Sequence, residues 1–98
     1  MKKTYNDFLQ LIADGQFKGY QVCFERSNLE KERWTAERFL DYIGELERYK
    51  NETGITITYD FLSDTNNRVH CIDVLIHYPA DNDIPERNHS MHWIVQYK

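Results

Sequence analysis

The clearest pattern along the chain is helical and runs from Thr35 to Asn51. Apolar side chains recur there at intervals of three and four residues, which places them on one side of a helix. They are Phe39, Tyr42, Ile43, Leu46 and Tyr49. Thr35 is a favourable N-cap residue, and Gly54 suits the left-handed conformation that ends many helices. Trp34 and Phe39 have the spacing of a hydrophobic staple, so a long amphipathic helix is predicted between Thr35 and Gly54.

The opposite side of this predicted helix is acidic. Glu37, Asp41 and Glu45 recur every fourth residue, and Glu52 returns to the same side; these four residues are called the acidic ridge below. Like charges at this spacing cost about 0.2–0.5 kcal/mol per pair, so stability alone would not favour them. Arg48 lies among them and can pair with Glu45 or Glu52. The acidic ridge is therefore either a surface for a basic partner or an ordinary solvated helix face.

A second, shorter helix is predicted near the start of the chain. Thr4 and Asp7 have the spacing of a capping box, and Gly15 can end the helix in a left-handed conformation. The apolar stripe between them consists of Tyr5, Phe8, Leu9 and Ile12.

Residues 18–26 alternate in polarity, with Tyr20, Val22 and Phe24 on the predicted inner face of a strand. The next segment, 27–34, permits two interpretations. Ser27 and Glu30 could cap an early start of the long helix, or residues 29–34 could form a second strand after a turn. The apolar stripe of the helix does not continue back through residues 31–33, which favours the hairpin.

Three more strands are predicted in the second half of the chain, at residues 55–61, 69–78 and 90–98, separated by the polar segments 63–67 and 79–88. Consecutive strands with short connections form an antiparallel meander, whose apolar face needs a cover. The two amphipathic helices supply that cover, and Tyr59 and Trp93 are expected in the core. The predicted fold is α+β: a four- or five-stranded, mainly antiparallel sheet with two helices on one face.

The composition supports a folded chain with a modest acidic excess. Apolar residues make up 41% and charged residues 29% of 98 residues, which predicts a single domain over 1–98. The net charge of −4 disfavours direct binding to nucleic acid or to anionic lipid. The charges are too balanced for the whole surface to imitate a DNA duplex, so any such mimicry would be local to the acidic ridge. Because so small a core is only adequate, a homodimer remains an alternative.

The expected compartment is the cytoplasm. Met1–Lys3 is basic but is followed by polar residues rather than by the apolar run of a signal peptide. No segment approaches the roughly 20 apolar residues of a membrane span. Cys23 and Cys71 are far apart and form no CxxC motif, so reduced thiols are expected.

Histidines near the C-terminus suggest a possible metal site. If the last two strands pair, His77 and His92 are expected side by side on the outer face, with His89 at the mouth of the hairpin. Three imidazoles could bind zinc. The alternative is a set of unrelated surface histidines. That alternative is favoured because His89 and His92, three residues apart in a strand, point to opposite faces.

No catalytic set is apparent, and no cofactor is expected. Cys23 and Cys71 are predicted to be unreactive strand cysteines, and the four glycines form no phosphate-binding loop. Asp73 lies mid-strand, where a cross-strand basic residue such as Arg68 or Lys98 is the expected partner.

The expected function is therefore binding without chemistry: a small acidic protein that binds and inhibits a protein partner. In this interpretation the acidic ridge occupies a basic nucleic-acid-binding groove, and Tyr49 and Trp34 anchor its edge. Phage- or mobile-element-encoded inhibitors of nucleic-acid-handling defence enzymes, and toxin-immunity proteins, have this profile. One alternative is a metal-dependent protein or enzyme that uses the C-terminal histidines. Another is a homodimeric module whose C-terminal strand is an exposed sheet edge.

Overall fold

A computed structural model describes residues 3–18, 21–27 and 32–97. The elements in chain order are α1 (Tyr5–Ala13), β1 (Val22–Arg26), β2 (Arg33–Thr35), α2 (Ala36–Thr53), β3 (Thr56–Ser63), β4 (Val69–Tyr78) and β5 (Arg87–Tyr97). All five strands belong to one antiparallel sheet, in the order β2-β1-β5-β4-β3. The predicted α+β class is confirmed, with five strands and two helices.

Both helices begin and end as their capping residues predict. The Thr4 backbone N–H donates to Asp7 Oδ2 at 2.7 Å, and the Asp7 N–H donates to Thr4 Oγ1 at 3.4 Å. The Thr35 hydroxyl accepts from the backbone N–H of Arg38 at 3.2 Å. Gly54 ends α2 with φ 74°, a left-handed conformation that glycine adopts without steric cost.

The strand predictions are confirmed in type and corrected in extent. β3, β4 and β5 form the expected meander, and β1 pairs with β2 as the favoured hairpin. β2 covers only Arg33–Thr35, whereas a strand was expected over 29–34; residues 28–31 lie outside the described part, as does Tyr20. β5 begins at Arg87, so the expected loop 79–88 is shorter than predicted.

The C-terminal strand lies inside the sheet, which corrects the expectation that it forms an exposed edge. β5 pairs with β4 on one side and with β1 on the other, where Phe24 lies opposite Val95. Within the described residues, the edge strands are instead β2 and β3. The homodimer that was expected to form through the C-terminal strand therefore has no free β5 edge to use.

The core lies between the sheet and the helices, and it is rich in aromatic rings. Phe39 of α2 stacks on Phe24 of β1, with ring centroids 4.1 Å apart and an interplanar angle of 4°. Phe39 also meets Trp93 of β5 edge-on at 5.0 Å, and Phe8 of α1 packs 5.8 Å from Tyr59 of β3. Tyr59 and Trp93 are buried as expected. These contacts fix both helices on the same face of the sheet.

A buried polar contact also joins α2 to β3. The Tyr59 hydroxyl donates to Glu47 Oε1 at 2.6 Å, and Lys50 Nζ lies 3.4 Å from Glu47 Oε2. Glu47 is only 8% exposed, because it lies on the side of α2 that faces the sheet. A buried carboxylate needs such partners, since removal from water is otherwise costly.

The opposite face of the sheet, called the open face below, has no helix against it within the described part of the chain. Alternation along the strands places there the side chains Asp60, Leu62, Cys71, Asp73, Leu75, His77, His92 and Ile94. The face therefore mixes apolar and ionisable groups. Neither described helix is long and apolar enough to cross a membrane.

We expect Tyr59→Phe to lower the free energy of unfolding by about 1.5–3 kcal/mol, the usual value of a hydrogen bond to a charged group. The substitution keeps the ring and leaves the carboxylate of Glu47 without its hydroxyl donor. Urea denaturation measures the change. Tyr49→Phe is the control, because Tyr49 is exposed and should change stability by no more than about 0.5 kcal/mol. Equal losses in the two variants would contradict the assigned role of the Tyr59–Glu47 contact.

A loss of stability at alkaline pH is expected from the same contact. Burial, followed by the hydrogen bond to Glu47, raises the pKa of Tyr59 far above its ordinary value near 10. Above about pH 10 the unfolded chain therefore releases this proton while the folded chain keeps it, so stability falls by up to about 1.4 kcal/mol per pH unit. Burial raises the pKa of Tyr42 and Tyr97 in the same direction. The free energy of unfolding of Tyr59→Phe should therefore fall less steeply than that of the wild type between about pH 10 and pH 11. Equal slopes in the two proteins would refute this.

Candidate functional site

The acidic ridge is exposed along the outer side of α2. Glu37, Asp41, Glu45 and Glu52 are all exposed, and a rise of 1.5 Å per residue spreads them over roughly 22 Å. None of them forms an ion pair with another residue in the described part of the chain. The pairing that Arg48 could make with Glu45 or Glu52 is absent there too. The ridge therefore carries negative charge that its own surface does not neutralise.

The two aromatic residues expected beside the acidic ridge differ in exposure. Tyr49 is 47% exposed and lies at the side of the ridge on α2. Trp34 is only 8% exposed, which corrects the expectation that it anchors a partner. Its ring packs 4.7 Å from Trp93 and is covered by the Arg38 guanidinium at 4.2 Å. The reason is that Trp34 lies on the inner face of β2, so it belongs to the core.

Tyr49 borders a shallow surface depression whose other lining residues are Tyr78, Arg87, Asn88 and His89. The Arg87 guanidinium lies over the Tyr78 ring at 4.5 Å. His89 is opposite Ile76 in the β4–β5 register, which puts it on the helix side of the sheet. The aromatic neighbourhood of the acidic ridge is thus formed by tyrosines on α2 and β4.

The expected group of three histidines does not form. In the β4–β5 register, His77 lies opposite Asn88, whereas His92 lies opposite Asp73. His77 and His92 are therefore about 13 Å apart along the sheet rather than side by side. His77 Nδ1 contacts Asn88 Oδ1 at 2.8 Å, and its Nε2 lies 4.0 Å from Glu86. Together with the position of His89 on the other face, this rules out a site made of those three imidazoles.

A different cluster forms on the open face, and only one of those histidines belongs to it. His92 donates from Nδ1 to Asp73 Oδ1, and Cys71 Sγ lies 3.4 Å from Nδ1 and 3.3 Å from Nε2 of the same ring. Cys71, Asp73 and His92 are called the sheet-face cluster below. Its ligand-type atoms all lie within 4.8 Å of one another.

The partner of Asp73 is His92, which corrects the expectation of Arg68 or Lys98. Arg68 lies over the Tyr97 ring at 3.7 Å, and residue 98 is outside the described part.

The register of β4 and β5 explains this arrangement. Asp73 and His92 are directly opposite each other, and Cys71 precedes Asp73 by two residues, so it points to the same face. On the other side of β4, Asp60 of β3 lies directly opposite Asp73. The Asp73 carboxylate and the Cys71 thiol thus lie against one imidazole in the middle of the sheet, and Asp60 lies on the far side of Asp73.

The chemistry of Cys71 argues against a nucleophile. Burial, followed by the charges of Asp73 and Asp60, raises the pKa of its thiol to about 11. A catalytic cysteine needs the opposite shift, because the thiolate is the reactive form. Both cysteines are free thiols. The sheet-face cluster brings a sulfur, a nitrogen and an oxygen donor within 4.8 Å of one another.

No protein-family model, curated protein or solved structure shows significant similarity to this chain. The candidate sites consequently rest on the geometry of its own residues.

We expect Cys71 to react much more slowly than Cys23 with iodoacetamide in chelator-treated protein at about pH 8. A thiol with a pKa of about 11 is roughly one thousandth ionised there, and Cys71 is only 6% exposed. Asp73→Asn should speed the reaction of Cys71 severalfold because it removes a nearby negative charge. Asp81→Asn, in the exposed loop after β4, is the control. Peptide mass spectrometry measures both rates, and faster labelling of Cys71 than of Cys23 would contradict the environment described.

Proposed function

We propose that this chain is a small, acidic, non-enzymatic protein that binds and inhibits a protein partner through the acidic ridge of α2. The observation that carries the proposal is the row of four exposed carboxylates, which have no ion-pair partner within the described residues. Surface carboxylates often pair with neighbouring lysines or arginines on the same helix. Here the charge remains available to a basic surface on another molecule.

Rigidity of the ridge supports this proposal. α2 is held to the sheet by fully buried Phe39 and Ile43 and by the contact between Glu47 and Tyr59. The carboxylates are therefore displayed on a preformed surface, which reduces the ordering cost of binding. Tyr49 beside the ridge can bury a large ring while its hydroxyl keeps a polar contact, as aromatic residues at interfaces commonly do.

The sign and shape of the ridge determine the kind of partner. A line of negative charge roughly 22 Å long complements a groove lined with lysines and arginines, such as the nucleic-acid-binding groove of an enzyme. The same charge repels nucleic acid itself, so the partner is a protein. We propose that the protein is either a phage- or mobile-element-encoded inhibitor of a nucleic-acid-handling defence enzyme or a toxin-immunity protein. Its proposed location is the cytoplasm of a bacterium, or of the host if a phage encodes it.

Charge reversal on the ridge tests the proposal. The triple variant Glu37→Lys, Asp41→Lys, Glu45→Lys should lose the partner that wild-type protein retains from a host extract, and association should slow by at least about tenfold at low salt. The control variant Asp81→Lys, Asp83→Lys, Glu86→Lys changes the net charge equally in an exposed loop. It should bind like the wild type.

Measuring the association rate at several salt concentrations separates the electrostatic contribution to binding from the contribution of the other contacts. Wild type and loop control should associate more slowly as salt increases, whereas the ridge variant should lose this slowing, because its lysines repel a basic groove and salt screens that repulsion. If the ridge variant binds the captured partner with unchanged affinity and unchanged salt dependence, the acidic ridge is not the binding surface.

A further inference from the structure

Three donor atoms of different chemical type meet on the open face without any loop to bring them together. The sheet-face cluster contains a thiol, a carboxylate and an imidazole, and these atoms all lie within 4.8 Å of one another. We propose that Cys71, Asp73 and His92 form a binding site for one divalent metal ion, with Zn²⁺ as the preferred ion. This site is independent of the acidic ridge, which lies on the other side of the molecule.

The separation between sulfur and nitrogen in the cluster is close to that required by a tetrahedral ion. Zinc–sulfur bonds of about 2.3 Å and zinc–nitrogen bonds of about 2.0–2.1 Å place the two donors about 3.5 Å apart in a tetrahedron. Cys71 Sγ is 3.3–3.4 Å from the ring nitrogens of His92, close to that separation. To admit an ion, the hydrogen bond between His92 and Asp73 must open and the imidazole must turn, because Cys71 Sγ is almost equally far from both ring nitrogens and so lies over the ring. Both side chains are about half exposed, so they have room to do so.

The donor set selects among ions. A thiolate and an imidazole are typical ligands of zinc and cobalt, whereas magnesium and calcium prefer oxygen ligands throughout. Three protein ligands leave the fourth position of a tetrahedral ion open towards solvent, where water can bind.

The charges around the cluster favour a cation. Asp60 lies directly opposite Asp73 on the neighbouring strand, and like charges at that position destabilise a sheet. Neither carboxylate forms an ion pair with a lysine or arginine of the described residues. A divalent ion bound to Asp73 would offset this repulsion.

The backbone supports the site with little freedom of movement. β4 and β5 are ten and eleven residues long and pair continuously from Cys71–Ile94 to Tyr78–Arg87. Every ligand therefore sits on a hydrogen-bonded strand in the interior of the sheet. Such positions hold side chains more accurately than loops do, which lowers the cost of assembling the ligands around the ion.

Metal titration of tag-free protein in a Cys23→Ser background tests the proposal, since Cys71 is then the sole thiol. Chelator-stripped protein is incubated with zinc chloride, dialysed and analysed for elemental content. One zinc per chain is expected. Loss of an outer-shell partner alone typically weakens metal binding by about 10–100-fold, so Cys71→Ser and His92→Gln should each weaken it by at least as much. His77→Gln is the matched control, and it should retain the ion because His77 lies about 13 Å from His92 along the sheet.

Cobalt substitution gives a readout that does not depend on the variants folding. Co²⁺ bound to a thiolate produces an intense ultraviolet sulfur-to-cobalt band, and in the Cys23→Ser background that band can arise only from Cys71. Its appearance at one equivalent of Co²⁺, and its loss on addition of Zn²⁺, are the expected results. The absence of the band, or zinc retention that is equal in Cys71→Ser, His92→Gln and the His77→Gln control, would overturn the proposal.

Discussion

The packing of α2 against the sheet is the constraint on which the remaining structure depends. Phe39 stacks on Phe24 and meets Trp93 edge-on, so one ring of the helix contacts β1 and β5 together. These two strands are far apart in sequence, and their pairing joins the N-terminal hairpin to the C-terminal meander. The contact between Glu47 and Tyr59 then fixes the helix against β3. Because apolar burial is the dominant favourable term in folding, this packing fixes the orientation of α2 relative to the sheet.

Both candidate surfaces follow from that orientation. Burying one side of α2 directs the acidic ridge outward, away from the sheet. Placing both helices on one side leaves the opposite side of the sheet without a helix in the described part of the chain, so Asp73 and His92 are about half exposed there, beside the buried thiol of Cys71. A partner could thus occupy the ridge and an ion could occupy the sheet without either one excluding the other.

Local patterns were sufficient for the elements but insufficient for the sites. Capping residues and apolar periodicity predicted both helices and the meander, because these signals act within a few residues. The grouping of His77 with His92 failed because it required the register of β4 and β5, which depends on where the intervening loop ends. β5 starts at Arg87, so Asp73 rather than His77 faces His92. For a related reason, Trp34 was wrongly predicted to contact a partner, and the burial of Glu47 was not predicted at all. The burial of both residues depends on contacts with strands that are distant in sequence.

The two candidate sites share a physical feature that stability does not explain. On α2, four carboxylates at helical spacing repel one another, and on the sheet Asp60 lies directly opposite Asp73. Elsewhere in the described residues both helix N-caps are occupied and Glu47 has its partners, although the buried Trp93 Nε1 has no hydrogen-bond partner and Leu9 of α1 is exposed. Conflict between like charges is common at functional positions, where a ligand supplies the missing interaction. A basic partner would relieve the first conflict, and a divalent cation the second.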